Sequence, residues 1–195
     1  MNEKIKKGSE INLTIESLAY GGKGISKFNN IVIFTNNVLP GQIVKVKIIR
    51  KKKNYLEAIP IEIIKESSFK QKETCSHFYD CGGCKIQDLM YEEQLKQKET
   101  QILESLRYIG KIKVEKIKPI IKSKLIYEYR NKMEFSFSNN RWLIKSEKSI
   151  KNEKSKDFAL GLHPPRRFDK IVDIDYCHIQ TKLANEILHL IKEES

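Results

Sequence analysis

Apolar and polar residues alternate in two stretches of the first third of the chain. One stretch covers Ile11–Ile15 and the other Val44–Ile48, whose polar face carries Lys45 and Lys47. A period of two residues is typical of strands with one buried face. Gly, Pro and Asn turns separate these stretches from two more strand-like segments, Ile31–Phe34 and Tyr55–Ile64. Short strands joined by tight turns predict a small closed β-barrel, because closure removes exposed sheet edges.

A helical period follows in the segment Leu89–Ile109, and Gly110 is a natural C-terminal stop for it. Strand-like segments then return, interrupted by a polar stretch, Lys145–Lys156, that predicts a loop. A last helix begins near Thr181. Each helix carries an apolar stripe of four residues: Leu95, Ile102, Leu106 and Ile109 in the first, and Leu183, Ile187, Leu190 and Ile191 in the last.

The net charge of +12 suits a partner that carries negative charge. Residues 1–74 hold 14 Lys and Arg against 7 Glu and no Asp, so the predicted barrel carries a large part of the excess. Phosphate contacts with such a surface release counterions, which favours nucleic acid, although a Lys-rich coding bias explains the charge almost as well. No apolar run is long enough to cross a bilayer, and no secretory signal is recognisable, which predicts a cytoplasmic protein without a membrane partner.

The cysteines are the clearest candidates for chemistry. Cys75, Cys81 and Cys84 form a C-x5-C-x2-C group, and Cys177 lies far downstream. Disulfides are disfavoured in the cytoplasm, so clustered cysteines indicate a metal site or catalysis. Two glycines between the last two cysteines of the group allow the chain to fold tightly and to turn amide N–H groups towards sulfur.

Spacing alone leaves zinc and an iron–sulfur cluster open. A zinc ribbon usually presents two C-x2-C pairs around one ion, whereas this chain has one pair of that spacing. An iron–sulfur cubane accepts three ligands from one loop and a remote fourth, so the cluster is favoured about two to one over zinc. His77 could replace a cysteine at zinc, but four cysteines suffice without it.

Several segments resemble the bacterial RNA uracil-5-methyltransferases that act on ribosomal RNA. They surround the cysteines and include a strand with Arg and Lys: Cys75–Gln87, Tyr91–Lys96, Tyr129–Phe137, Gly161–His163 and Ile171–Cys177. Tyr20–Gly24 and Val38–Gly41 are similar to the TRAM domain that opens these enzymes. The resemblance covers essentially the whole chain in the expected order. It implies that the four cysteines bind a 4Fe–4S cluster: Cys75, Cys81, Cys84 and Cys177.

Members of that family transfer a methyl group from S-adenosylmethionine to C5 of uracil. The resemblance implies a cysteine thiolate that adds to C6, a carboxylate that helps to remove the C5 proton, and a Gly-rich methyl-donor site in a C-terminal domain. No such site is recognisable in this sequence, and the cluster accounts for every cysteine. We therefore expect no catalytic residue and a chain inactive by itself. Because the apolar stripe of the long helix would lose the catalytic domain that covers it in the family, we also expect a fragment that is unstable alone or needs a partner such as a separate methyltransferase-domain chain.

The resemblance divides the chain into successive parts. Residues 4–66 are expected to form an OB-like, five-stranded TRAM β-barrel, with a linker at 67–74. Residues 75–91 and 124–195 are expected to form an incomplete α+β iron–sulfur domain that recognises RNA, and residues 92–113 a long helix that packs on a catalytic domain. The predicted fold class is therefore β-rich α+β, with the C-terminal methyltransferase domain absent.

RNA, and ribosomal RNA in particular, is the partner that the resemblance implies. The candidate contacts are basic residues of the barrel and of the strand around Asn131: Lys45, Lys47, Arg50, Lys51, Lys52, Lys53, Arg130 and Lys132. A solvated lysine face explains any single one of the barrel lysines equally well, and Arg130 could instead pair with an acidic neighbour.

Two further interpretations stay open. One is a free-standing TRAM RNA-binding protein with a structural zinc site. The second is a radical-type cluster enzyme with a TRAM domain, which fits poorly because its signature is C-x3-C-x2-C and its TRAM domain would come last. Iron and zinc analysis separates the zinc protein from the cluster protein.

Overall fold

The computed structural model describes residues 5–144, 147 and 158–195. The chain forms two compact units, one from Met1–Lys72 with Asp88–Lys122 and the other from Glu73–Gln87 with Ser123–Ser195. The predicted loop at 145–156 lies outside the described residues apart from Glu147. Within the described ranges, no helical segment combines the length and the apolar character needed to cross a bilayer.

Six strands form the sheet of the first unit: β1 (Glu10–Thr14), β2 (Ser17–Leu18), β3 (Gly24–Phe28), β4 (Ile31–Thr35), β5 (Ile43–Lys51) and β6 (Tyr55–Lys65). In sheet order they run β1-β5-β6-β4-β3-β2. The pair of β4 and β6 is parallel and the other pairs are antiparallel. The sheet has one strand more than the five that the resemblance implied, and both β2 and β3 lie outside the strand segments predicted from the sequence pattern.

The alternating strands bury one face, as the sequence predicts. The inward residues of Ile11–Ile15 and Val44–Ile48 pack into one core with Ile33, Leu56 and Ala58. Each of these last three side chains is at most 1% exposed. Burial of apolar surface stabilises such a core by about 25 cal/mol per Å². The pairing of β5 with β6 shifts register at three points, and such bulges bend and twist a long hairpin.

Helix α1 (Tyr91–Glu104) belongs to the same unit and is shorter than predicted. The chain continues as one π-helical turn over Ser105–Ile109, and residues 111–122 contain no helix. The expected helix over 92–113 was therefore wrong at its C-terminal end. A π turn is wider than an α turn and replaces the regular i to i−4 bonds, so the regular α-helix ends where the turn begins.

Polar side chains of α1, more than its apolar stripe, connect it to the sheet of the first unit. The Leu18 N–H donates to Gln97 Oε1 at 2.8 Å, and Gln101 Nε2 donates to Leu18 O at 2.8 Å. These two bonds satisfy both backbone groups of a residue in the short strand β2. Within the predicted stripe, Leu95 is buried, whereas Ile109 at the end of the π turn is 82% exposed.

The second unit holds a four-stranded sheet and the last helix. Its strands are β7 (Ser136–Ser138), β8 (Arg141–Trp142), β9 (Ala159–Leu162) and β10 (Ile171–Asp173), in the order β7-β9-β10-β8. Helix α2 (Lys182–Glu193) follows. The apolar stripe predicted for α2 faces solvent, since each of its four residues is at least 42% exposed. The buried positions of α2 are Asn185 and Leu188.

Candidate functional site

Turns within the cysteine loop, residues 75–84, and the side chain of Gln87 set the path of its backbone. The Cys81 N–H donates to His77 O at 2.7 Å. The Cys75 N–H donates to Gln87 Oε1 at 2.8 Å, which fixes the start of the loop. These bonds set the backbone from which the three cysteine side chains project.

The two glycines of the cysteine loop differ: the space at Gly82 admits no side chain, whereas Gly83 contributes its amide. A Cβ on Gly82 would lie 2.6 Å from His163 O, and the Gly82 N–H donates to that same oxygen at 3.1 Å. The Gly83 N–H donates to Cys81 Sγ at 3.3 Å. The prediction that these glycines turn an amide towards sulfur is therefore confirmed for Gly83. An N–H aimed at sulfur favours the thiolate, which is the form that binds metals.

Cys177 joins the cysteine loop from the far end of the sequence. Together the four cysteines line one partly open pocket. Its other walls are largely apolar and include Leu162, Ile174 and Ile179. The four thiols are free, and each cysteine is half-buried. Among the residues that the structure describes, no three His, Cys, Asp or Glu side chains form a ready-made site for a single metal ion.

Burial raises the pKa of the thiols of Cys75, Cys81 and Cys84, and that of Cys84 reaches about 11. Loss of hydration is the main cause, and the neighbouring cysteines add to it because adjacent thiolates repel. The Gly83 N–H partly opposes the rise at Cys81, and the Arg130 charge partly opposes it at Cys84. In the metal-free chain these thiols therefore keep their protons at neutral pH, and metal binding must release them.

The raised pKa predicts that the metal-free chain loses stability as the pH rises from about 9 to about 11. The folded chain holds the Cys84 proton more tightly than the unfolded chain. The stabilisation of the folded chain by this proton is therefore fully present below the ordinary thiol pKa. It disappears as the pH rises through the folded pKa. Urea unfolding over this pH range measures the effect, with Cys84→Ala as the control. Equal pH slopes for the wild type and the control would contradict it.

His77 connects the cysteine loop to the chain before Cys177. It is 3% exposed, and its Nε2 accepts a hydrogen bond from the Asp175 N–H at 3.3 Å. Burial lowers the pKa of the His77 ring, and the nearby Asp175 carboxylate opposes that change less strongly. The neutral ring therefore acts as a hydrogen-bond acceptor between the two segments.

Two side chains without a distinctive sequence pattern also support the site. Trp142 Nε1 donates to Asp80 Oδ1 in the cysteine loop at 3.0 Å. Asn185 bonds both backbone groups of Cys177. No sequence signal marked Asn185, since α2 carries several polar residues and burial singles out this one only in the folded chain. Trp142 is the only Trp of the chain, so its fluorescence reports on the second unit.

The predicted RNA contacts of the first unit differ in their surroundings. Lys45 and Arg50 form ion pairs with Glu10 and Glu57, at 3.1 and 3.6 Å. The Lys51 ammonium donates to a backbone oxygen, Ile5 O, at 3.1 Å. The remaining barrel candidates are exposed: Lys47, Lys52 and Lys53.

In the second unit, Arg130 and Lys132 lie beside the cysteine pocket. Arg130 Nε donates to Lys132 O at 3.0 Å, and Lys132 forms an ion pair with Glu134 at 2.9 Å. Both basic residues line an open cleft, and Gly83 is part of the walls of both the cleft and the cysteine pocket. The structure therefore brings the two predicted contacts of this unit together next to the predicted metal ligands.

Comparison with known proteins gives matches along nearly the whole chain. Residues 4–61 match the family model of the TRAM domain. An uncharacterized RNA methyltransferase of Bacteroides thetaiotaomicron is 40% identical over 176 residues, and one of Porphyromonas gingivalis is 37% identical over 184 residues. These matches cover 90% and 93% of this chain but 39% and 40% of the relatives. The chain thus spans about two fifths of the length of the curated relatives it matches.

A solved structure shares the fold. The tRNA (uracil-54, C5)-methyltransferase of Pyrococcus abyssi, crystallised with S-adenosyl-L-homocysteine, aligns with a TM-score of 0.54 at 23% identity. The alignment covers 93% of this chain and 36% of that one. The predicted fold class, with its methyltransferase domain absent, is therefore wrong, because the chain aligns along nearly its whole length with a methyltransferase and with relatives of that name. Together, the TRAM match and the relatives support the RNA methyltransferase family for this chain.

Proposed function

We propose that this chain is the RNA-binding, iron–sulfur part of an S-adenosylmethionine-dependent RNA uracil-5-methyltransferase. The observation that carries the proposal is the single pocket that all four cysteines line. The TRAM match supports RNA binding, and the relatives named RNA methyltransferases support the reaction class.

The residues around the pocket suit a 4Fe–4S cluster. A cubane binds one thiolate at each iron, and Cys75, Cys81, Cys84 and Cys177 provide that number from two distant segments. Apolar walls limit the access of water, and the Gly83 N–H helps to spread the negative charge on sulfur. When bound, the cluster cross-links the cysteine loop to the segment at Cys177 and couples metal binding to folding of the second unit.

For the whole protein we propose methyl transfer to C5 of a uridine, with ribosomal RNA as the substrate class. The methyl group leaves the sulfur of S-adenosylmethionine and bonds to C5, the C5 hydrogen leaves as a proton, and S-adenosylhomocysteine is the second product. Tritium release from RNA labelled at uridine C5 measures the reaction. Release from ribosomal RNA supports the proposal. Release from transfer RNA alone would replace the substrate class, and release from neither would refute the reaction.

The basic turn between β5 and β6 is the part of the first unit best placed for phosphate contacts. Lys51, Lys52 and Lys53 are consecutive and exposed at the tip of the hairpin, and of their ammonium groups only that of Lys51 has a partner among the described residues, the backbone oxygen of Ile5. Two more candidates, Lys45 and Arg50, already lie within 4 Å of a carboxylate. The turn therefore concentrates positive charge at one point, as a contact with a phosphate backbone requires.

Replacing Lys51, Lys52 and Lys53 together by glutamine is expected to weaken binding of a ribosomal RNA fragment about tenfold at low salt and to lower the salt slope by about 2 to 3. Each lysine that contacts a phosphate releases about one counterion. Titration at several salt concentrations measures both effects. The control variant carries the same three changes to glutamine at Lys111, Lys113 and Lys116. These lysines are exposed in the same unit but lie outside the barrel strands. Equal changes in the two triple variants would show that the basic turn has no special role.

A further inference from the structure

Asn185 is a buried polar residue in the second turn of α2, and it is 1% exposed. A buried amide in a helix is costly unless its hydrogen bonds are complete. Asn185 Oδ1 accepts from the Cys177 N–H and from Gln180 Nε2, both at 2.8 Å. Asn185 Nδ2 donates to Cys177 O and Thr181 O, both at 3.1 Å. An asparagine amide has two donors and two acceptor positions, so this side chain is saturated.

Two of the four bonds hold both backbone groups of Cys177. The Cys177 N–H can only donate and its carbonyl can only accept, so the chemistry of the partners fixes which end of the amide faces which group. With both groups bonded, the backbone at Cys177 has one orientation, and its side chain is directed to the pocket that the other cysteines line.

Helix capping and apolar packing do not account for Asn185. Thr181 already caps α2, because its Oγ1 accepts from the Ala184 N–H at 3.3 Å. Leu188 provides the buried apolar contact of the same helix with the core of the second unit. Since other residues fill both of these roles, neither role requires an asparagine at this position.

We propose that Asn185 is a positioning residue that fixes Cys177 as the fourth ligand of the cluster, an inference that rests on the proposed iron–sulfur function. The other three cysteines are constrained by the short loop that carries them. Cys177 comes from a distant segment. The bond from the Asp175 N–H to His77 ties that segment to the loop but does not constrain the backbone groups of Cys177 itself. The Asn185 amide supplies this constraint from the first turns of α2.

The test compares Asn185→Ala with Thr181→Ala in the full chain, purified without oxygen. Thr181→Ala removes the cap of the same helix and leaves the bonds to Cys177 in place. We expect a chelator to remove iron about tenfold faster from Asn185→Ala than from the wild type, and at nearly the wild-type rate from Thr181→Ala. Asn185→Asp keeps the size of the side chain but replaces its donor by an acceptor. It should release iron as fast as Asn185→Ala, and it tests the proposal if the alanine variant does not fold.

Unfolding of the metal-free variants separates positioning from general stability. If Asn185 only stabilised the fold, iron release would follow the loss of unfolding free energy in all variants, Thr181→Ala included, and the proposal would fail. It would also fail if Asn185→Ala and the wild type released iron at the same rate. A wild-type chain that binds no iron would refute the cluster itself, which is a separate and recognisable result.

Discussion

Replacing Cys177 by serine is expected to reduce the iron content of the purified chain to about a tenth of the wild-type value or less. A serine hydroxyl stays protonated at neutral pH and is a poor ligand for iron compared with a thiolate. The loss should exceed that of any change in the surrounding residues, since it removes one of only four thiols in the pocket. Iron and zinc analysis of protein purified without oxygen measures it, together with the visible absorption of the cluster.

The wild type should be brown and hold about four irons per chain. Asp175→Asn is the matched control, because Asp175 lies two residues before Cys177 and its side chain is 79% exposed. The bond from its backbone N–H to His77 does not depend on the carboxylate. This control should keep the iron. A colourless wild type with one zinc would favour the structural zinc site, and wild-type iron in Cys177→Ser would remove Cys177 from the ligand set.

Strands β1 and β5 could be predicted because alternation records burial directly, whereas β3 was not predicted, because its buried positions are Gly24 and Ser26 and not apolar residues. Strand β2 could not, since two residues that pair with Gly24 and Ile25 leave no period. The sequence pattern did not show the end of α1 either. Apolar residues continue at helical spacing to Ile109, yet regular α-helix ends at Glu104. Periodicity shows which residues would form an apolar face, but it does not show where the backbone changes its hydrogen bonding.

The spacing of the cysteines and the family resemblance indicated which residues line the cysteine pocket. They did not indicate the side chains that hold those residues in place. Side-chain bonds to a distant backbone, such as those of Asn185 to Cys177, follow no period along the sequence. Helix α2 illustrates the difficulty, because its apolar stripe is exposed and a polar residue is among its buried ones. Which face is covered depends on tertiary packing, and a single sequence does not contain that information.

Gly161 shows the same limit within a recognised motif. Its place in Gly161–His163 contributed to the family resemblance, but no local pattern in the sequence requires a glycine there. In the structure, β9 is an inner strand, and a Cβ on Gly161 would lie 2.0 Å from Val172 O and 2.8 Å from Ile174 Cγ1. A glycine inside a strand often marks such a close approach of backbone to backbone.

Gly161→Ala is therefore expected to destabilise the second unit by about 3 kcal/mol, the upper end of the usual cost of overpacking. The clashing oxygen belongs to the backbone of β10, so relief requires β9 and β10 to separate. Urea unfolding of the metal-free chain, followed by Trp142 fluorescence, measures the change in this unit. Gly83→Ala is the control, because its Cβ would meet its nearest neighbours at 3.4 and 3.5 Å, which is ordinary contact. That variant should stay within about 0.5 kcal/mol of the wild type. If Gly161→Ala also stayed within that range of the wild type, β9 and β10 would separate at this point without cost. The close approach of their backbones would then not explain the glycine.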